Sequence, residues 1–487
     1  MNQKYQAHEG QILVLFAIGT IILIAFAALA VDVGLALSER RGAQNAADAA
    51  TLAVARAMVE GETNDAVLRQ TALHYAQANG YDIADLDADI QLTETGVEVN
   101  VRHDVTRAFL GAFYDGDWAI SADARASLDT VPADYGLIAL DDSGDAIYLA
   151  GNTHVRVQGG GMMSNSGIAC GGSSTITAGT AVHAAGSVLD TTNPSIACII
   201  EGDENTSGNR SPIEDPLAGT PTPPEPSYPT GLPAGQCTYE DQQWNSRAVC
   251  QPGHYTSWNW GSGWGIRLMP GTYLFDTNVT TNPYGTGVID MVPGGNYTFY
   301  VRNSTFSVNN TTWDMGSNNV NMYFLNSSFQ FTGGTDLVTL GSGLYYFDNS
   351  RFEPASGANA RGDAVSFFFR NGGEFKTSGN TQQMRFTAPT TSLYGEPPNT
   401  LFHAEPGSNT NIHFGNSSPN VLLQGLVYAP DSDFLMSGNT SGVWAQGQLI
   451  VRTFRAPSGS LGTAGNPSTI EYVDYVDMGT PQVWLTR

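Results

Sequence analysis

The chain has 487 residues, only 14% of them charged, and a formal net charge of −25. So acidic a chain is repelled by phosphate backbones, which excludes nucleic acid as a partner. Its 55 glycines come with aromatic and β-branched residues spread through the second half, a composition that suits an exported β-rich surface protein rather than a disordered one.

Residues 10–58 form one proline-free stretch, and none from 10 to 31 is ionisable. About 20 such residues in a helix cross the roughly 30 Å hydrocarbon core of a membrane. Asp32 marks the exit, Glu39, Arg40 and Arg41 reach the head groups, and the Ala-rich run 43–57 keeps high helix propensity without a continuous apolar surface. The expectation is a single unbroken helix, half in lipid and half out, roughly 70 Å long at about 1.5 Å per residue. Small residues at Ala43, Ala47, Ala50 and Ala57 would let another helix approach, so Ala47 and Ala50 are candidate partner-facing positions. A cleavable signal ending at Ala28-Leu29-Ala30 fits poorly, because the apolar core is too long and the helical pattern runs past it. Lys4 and the amino terminus oppose Arg40 and Arg41, so charge alone leaves the orientation open.

Gly10-Gln11 before the apolar run, Ala30-Val31-Asp32-Val33-Gly34 at its end, and Arg40-Arg41 followed by Gln44-Asn45-Ala46-Ala47-Asp48-Ala49-Ala50 together resemble the N-terminal domain of the Tad family (Flp pilus assembly, TadG-like). The motif residues are Asp32, Gln44, Asn45 and Asp48, in about a tenth of the chain. The resemblance implies a bacterial envelope protein, single-pass in the cytoplasmic membrane with its N-terminus inside and its ectodomain extracytoplasmic. It also implies other Tad-like pilus-assembly proteins as partners. Leu15 stands where a processed prepilin carries Glu.

After the stalk (1–60), residues 62–78 read as an amphipathic helix closed by Asn79-Gly80. Stretches 90–92, 97–101 and 118–122 alternate as strands, so 61–130 reads as a small α+β module that loosely resembles a pseudopilin head. From 131 to 204 short β runs alternate with Gly, Asn and Ser, and Gly151-Asn152-Thr153-His154-Val155-Arg156 is echoed by Gly172-Ser173-Ser174-Thr175-Ile176-Thr177, as in a first solenoid segment. Residues 205–236, with prolines at 221, 223, 224, 226, 229 and 233, read as a linker or long excursion in extended polyproline geometry.

The stretch 237–265 holds Trp244, Trp258, Trp260 and Trp264. Trp258, Trp260 and Trp264 are candidates for a surface or glycan ligand, and the bland reading is a satellite core under a long loop. Four cysteines allow three pairings; the sequence-local choice joins Cys170 to Cys198 and Cys237 to Cys250. Bridging would place that region in an oxidising compartment.

Residues 266–487 carry the strongest pattern. Phe299-Tyr300-Val301-Arg302-Asn303-Ser304-Thr305-Phe306 recurs as Met322-Tyr323-Phe324-Leu325-Asn326-Ser327-Ser328-Phe329 and as Tyr345-Tyr346-Phe347-Asp348-Asn349-Ser350-Arg351-Phe352, then more loosely at 367–375. A repeat of about 23 residues marks a solenoid. Each unit reads strand, Asn turn, strand and Gly-rich return, as in one coil of a right-handed parallel β-helix. Stacking places Asn303, Asn326, Asn349 and Asn371 in a buried amide ladder at about 4.8 Å intervals, with Phe306, Phe329 and Phe352 beside it.

A carbohydrate-active enzyme would need two or three converging carboxylates. Asp314, Asp336, Asp348, Glu353 and Asp363 share no repeat position. A metal loop at 137–145 lacks its last Ser, replaced by Asp145; Asp85, Asp87 and Asp89 lack the EF-hand Gly, replaced by Ile90; and Arg361-Gly362-Asp363 reads as a chance turn. The expectation is therefore no catalytic, cofactor or metal site, and a structural or adhesive envelope protein of mixed fold. The alternative is a membrane-tethered β-helix enzyme.

Overall fold

The computed structural model describes residues 11–59, 62, 64–93, 96–105, 108–109, 118–129, 135–190, 199–200, 206–208, 212–241, 247–258, 265–281, 288–332, 337–355, 357–377, 383–415, 421–437, 442–457, 466–475 and 482–486. Trp244, Trp260, Trp264, Cys198 and Asp336 lie outside them. The chain divides into two compact units, 1–131 with 479–487, and 132–478.

In the first unit, α1 (Gln11–Val59) is a single helix of 49 residues, and α2 (Asp65–Ala78) starts on an Asn64 cap whose side chain accepts from the Ala66 N–H. Strands β1 (Ile90–Thr93), β2 (Gly96–Asp104) and β3 (Ala119–Asp129) form an antiparallel sheet, longer than the alternation at 97–101 and 118–122 suggests. The C-terminal strand Gln482–Thr486 adds to β3 rather than to the solenoid, where its place in the chain had put it. Val97, Val99 and Val101 on one sheet face pack with Leu68, Ala72 and Ala76 of α2 and the second half of α1.

The second unit is a parallel β-solenoid of about 12 turns. Inward rows run in register through it: Phe299, Met322, Tyr345, Phe367 and Phe402 in one, Phe306, Phe329, Phe352, Phe375, Ile412 and Phe434 in another. Phe375, displaced by one residue in the sequence alignment, thus still takes its place. The aligned echo at 151–156 and 172–177 is likewise a true register, with His154 opposite Thr175 and Val155 opposite Ile176.

The coils do not stack in chain order. The strand Gly442–Ala456 pairs with the early strands Tyr135–Ala139 and Asp145–Leu149, through Leu449 to Leu137 and Phe454 to Ile147. Residues 135–190 and the short strands at 199–200 and 206–207 therefore continue the stack beyond its C-terminal coils, and the chain must return from Thr206 to the opposite end at Ala248. The Pro-rich segment makes that return. Where sequence suggests a linker, residues 212–236 form a strap fastened along the solenoid. Ile213 exchanges two hydrogen bonds of 2.8 Å with the Asn165 side chain. Tyr428 donates to Asp215 (2.8 Å) and to the Leu217 carbonyl (3.1 Å), and the Tyr228 ring lies 5.3 Å from Tyr300 with Arg302 over its face. Gly235 N–H donates to His254, whose N–H donates to Pro233. About ten coils at about 4.8 Å rise roughly 50 Å, a span the segment covers comfortably at about 3.1 Å per residue in polyproline geometry.

An outward aromatic row, Tyr300, Tyr323, Tyr346, Phe368, His403 and Tyr428, is aligned coil on coil; the strap meets it at Tyr300 and Tyr428, and Tyr394 packs on Phe368 and His403. The sequence carries its trace as aromatic doublets (Phe299-Tyr300, Tyr345-Tyr346, Phe367-Phe368), one more ring per coil than an inward face requires.

Candidate functional site

Asp32 and Gln44 of the stalk motif face inward on their own module. Asp32 is fully buried and its carboxylate accepts from the N–H groups of Ala108 (2.8 Å) and Phe109 (3.1 and 3.2 Å). Gln44 donates to Asp48 (3.0 Å) and to the Asp123 carbonyl (3.0 Å), tying α1 to β3, while Asn45 points to solvent. Ala47 and Ala50 are 0% exposed. They are not a free face for another helix. A small-residue stripe does permit close approach, and the elements that use it are α2 and the sheet, with Ala72, Val99 and Ala124 in the same cluster.

The first half of α1 is the opposite case. Leu15, Phe16, Ile21, Leu23 and Phe26 are exposed by 66–74%, with no covering element among the described residues, and the helix is long and apolar enough to cross a membrane.

The Asn ladder exists, but in water. Asn326 donates to Asn303 (3.2 Å) and Asn349 to Asn326 (2.7 Å), whereas Asn371 donates to Asp348 (2.7 Å). All four side chains are exposed and all four residues have positive φ, 45–51°. Asn is there because the corner of each coil needs a left-handed residue, which Asn adopts more readily than most. The buried ladder lies one residue on: the Ser327 hydroxyl accepts from Ser304 N–H and the Ser350 hydroxyl from Ser327 N–H. Accordingly Asn326→Ala should cost about 1 kcal/mol through left-handed strain, Asn326→Gly less, and Asn326→Asp little at any pH; thermal melts of the three variants between pH 4 and 8 check this.

Trp258 is half-buried and packs on the core, edge-on to Tyr255 (5.6 Å) and Phe275 (5.6 Å), so the described member of the Trp cluster is a packing residue rather than a docking surface. Cys237 and Cys250 are disulfide-bonded across paired strands, and Cys170 is also bridged. The loop after Leu140 is a polar turn in which Asp141 accepts from the Ser143 N–H and hydroxyl; Asp85 likewise accepts from the N–H groups of Asp87 and Ala88. Among the described residues no cluster of His, Cys, Asp or Glu has metal-binding geometry.

One feature of the solenoid has the form of a binding site. An open groove of about 1150 Å³ lies over the strands Leu337–Leu340, Asn359–Gly362 and Gln383–Thr387. Asp314, Thr339, Arg361 and Arg385 form one outward row along its floor, each opposite the next. Lower in the same row Arg267 is balanced by Asp290 (3.0 Å) and Glu240 (3.4 Å). Among the described residues Arg361 reaches only the Thr339 hydroxyl (3.1 Å) and Arg385 only the Gln424 side-chain oxygen (3.4 Å). Sequence reading passed over this pair because Arg361 and Arg385 belong to different coils in a stretch where the repeat is loose.

Residues 10–57 match the Tad family model, described as Flp pilus-assembly TadE/G-like. No curated protein and no solved structure matches the chain.

Proposed function

We propose that this is a membrane-anchored envelope protein working with Tad-type pilus assembly, in which α1 holds the chain in the cytoplasmic membrane and the solenoid serves outside as a structural or adhesive body. The carrying observation is the division of α1. Its apolar half is bare, its small-residue half is sheathed by its own module, and the matched Tad segment spans both halves.

The Cys237–Cys250 bridge supports an oxidising compartment for the solenoid. Four solenoid carboxylates have a structural use: Asp276 is held by Arg302, Glu374 by Arg351, Glu405 by Arg370 and Asp433 by Arg452. Arg302, with His254, holds the Asp276 carboxyl below the usual carboxylate range.

Protease added to spheroplasts should digest the chain beyond about Glu62 and leave a tag at the N-terminus protected. An ectodomain that stays intact until the inner membrane is opened, with the tag cut instead, would reverse the orientation and sink this reading.

A further inference from the structure

The groove holds two arginines that make no ion pair among the described residues, although Asp314 and Asp363 also line it. Arg361 and Arg385 stand directly opposite each other on adjacent strands, both exposed, with no carboxylate within ion-pair distance of either among the described residues. Like charges in that position destabilise a sheet. In a chain with 46 acidic and 21 basic residues, the opposite sign was the easier choice. Elsewhere on the solenoid Arg247, Arg267, Arg302, Arg351, Arg370 and Arg452 meet carboxylates, while Arg156 and Arg455, also without an ion pair among the described residues, do not stand opposite another arginine.

We propose that the groove binds an acidic polysaccharide, with carboxylates of the glycan bridging Arg361 and Arg385. Two guanidiniums at strand spacing suit a linear polyanion lying along the row, since each presents a fork matched to a carboxylate. The polar part of the remaining lining includes Thr339, Ser342 and Gln383, with the carboxylates Asp314 and Asp363 there to accept from sugar hydroxyls, beside apolar patches such as Leu337 and Met384. An acidic peptide fits less well. The floor strands already pair with a coil on each side, so their backbones offer no edge for a peptide strand to add to. Nucleic acid is opposed by the charge of the whole chain.

This inference rests on the solenoid being a binding body at the surface, and names the ligand class of that role. The test is separate from that of membrane topology, so either can fail alone. Full-length chain in detergent micelles is titrated calorimetrically with oligogalacturonate, with the neutral galactose oligomer and with oligoglutamate. The expected result is saturable binding of oligogalacturonate that weakens with salt, at least about ten-fold weaker for the R361Q/R385Q double variant. The neutral oligomer and the peptide should bind far less. Without ligand, the double variant should melt at or above the wild-type temperature, since a like-charge pair is removed. The proposal is overturned by no oligogalacturonate binding, by equal binding to the double variant, by equal binding of the neutral oligomer or of oligoglutamate, or by a double variant that melts lower without ligand.

Discussion

Replacing Phe329 by Ala should lower the stability of the solenoid by about 3–5 kcal/mol. The ring is 0% exposed and sits in the inward row between Phe306 and Phe352. It is edge-on to Phe331 at 4.6 Å, stacked on Phe324 at 5.2 Å, and edge-on to Phe352, Phe306 and Trp313 at 5.7, 5.8 and 5.9 Å. Removing it loses the transfer energy of the ring and leaves a cavity that cannot collapse, because the backbone on either side is held by strand pairing to the next coil. Phe329→Leu, which keeps most of the volume, should cost well under half as much. Denaturant melts of both variants decide the point; an Ala variant within about 1 kcal/mol of wild type would mean that the coil repacks around the gap.

Acid should destabilise the strapped face through His403. The imidazole is fully buried in the outward aromatic row, edge-on to Phe368 at 5.1 Å, with its Nδ1 2.8 Å from the Tyr394 hydroxyl and its Nε2 without a partner among the described residues. Tyr428, whose hydroxyl holds Asp215 of the strap, packs 5.4 Å away. Burial lowers the His403 pKa from 6.5 to about 4. The unfolded chain therefore takes up this proton first as pH falls. The contribution is intact above about pH 6.5, declines as pH drops toward 4, and is lost below it, about 3 kcal/mol in all.

His413, also lowered by burial, acts in the same direction, so the informative quantity is the difference between proteins. His403→Phe, which continues the ring row from Phe368, should flatten the dependence between pH 6.5 and 4 by about that amount. Urea melts at pH 4, 5, 6 and 7 measure it. A wild-type slope that survives the substitution unchanged would assign the acid sensitivity to other groups.

The elements that could be read in advance are those whose cause is local. An uninterrupted apolar run followed by alanines dictates one helix whatever surrounds it, and α1 is that helix. Phe306, Phe329 and Phe352 recur at one coil length because each must fill the same place in a stack of identical coils, so repetition alone revealed both the solenoid and its inward face. The Cys237–Cys250 bridge lies across neighbouring strands, within reach of a sequence-local guess.

What tertiary structure alone decided is which neighbour each surface meets. A stripe such as Ala43, Ala47 and Ala50 says that something comes close, without saying whether it is another molecule or α2 of the same chain. Asn at a repeat position is compatible with a buried amide ladder or with a left-handed corner in water, and only the backbone φ of 45–51° distinguishes them. Arg361 and Arg385 become a like-charge pair only when their coils stack in register. Above all, parallel coils pair through backbone hydrogen bonds that any sequence can make. Nothing local therefore forbids the coil at 135–158 from stacking on the coil at 442–472, and once it does, the prolines at 221–233 have to carry the chain back along the solenoid as a strap.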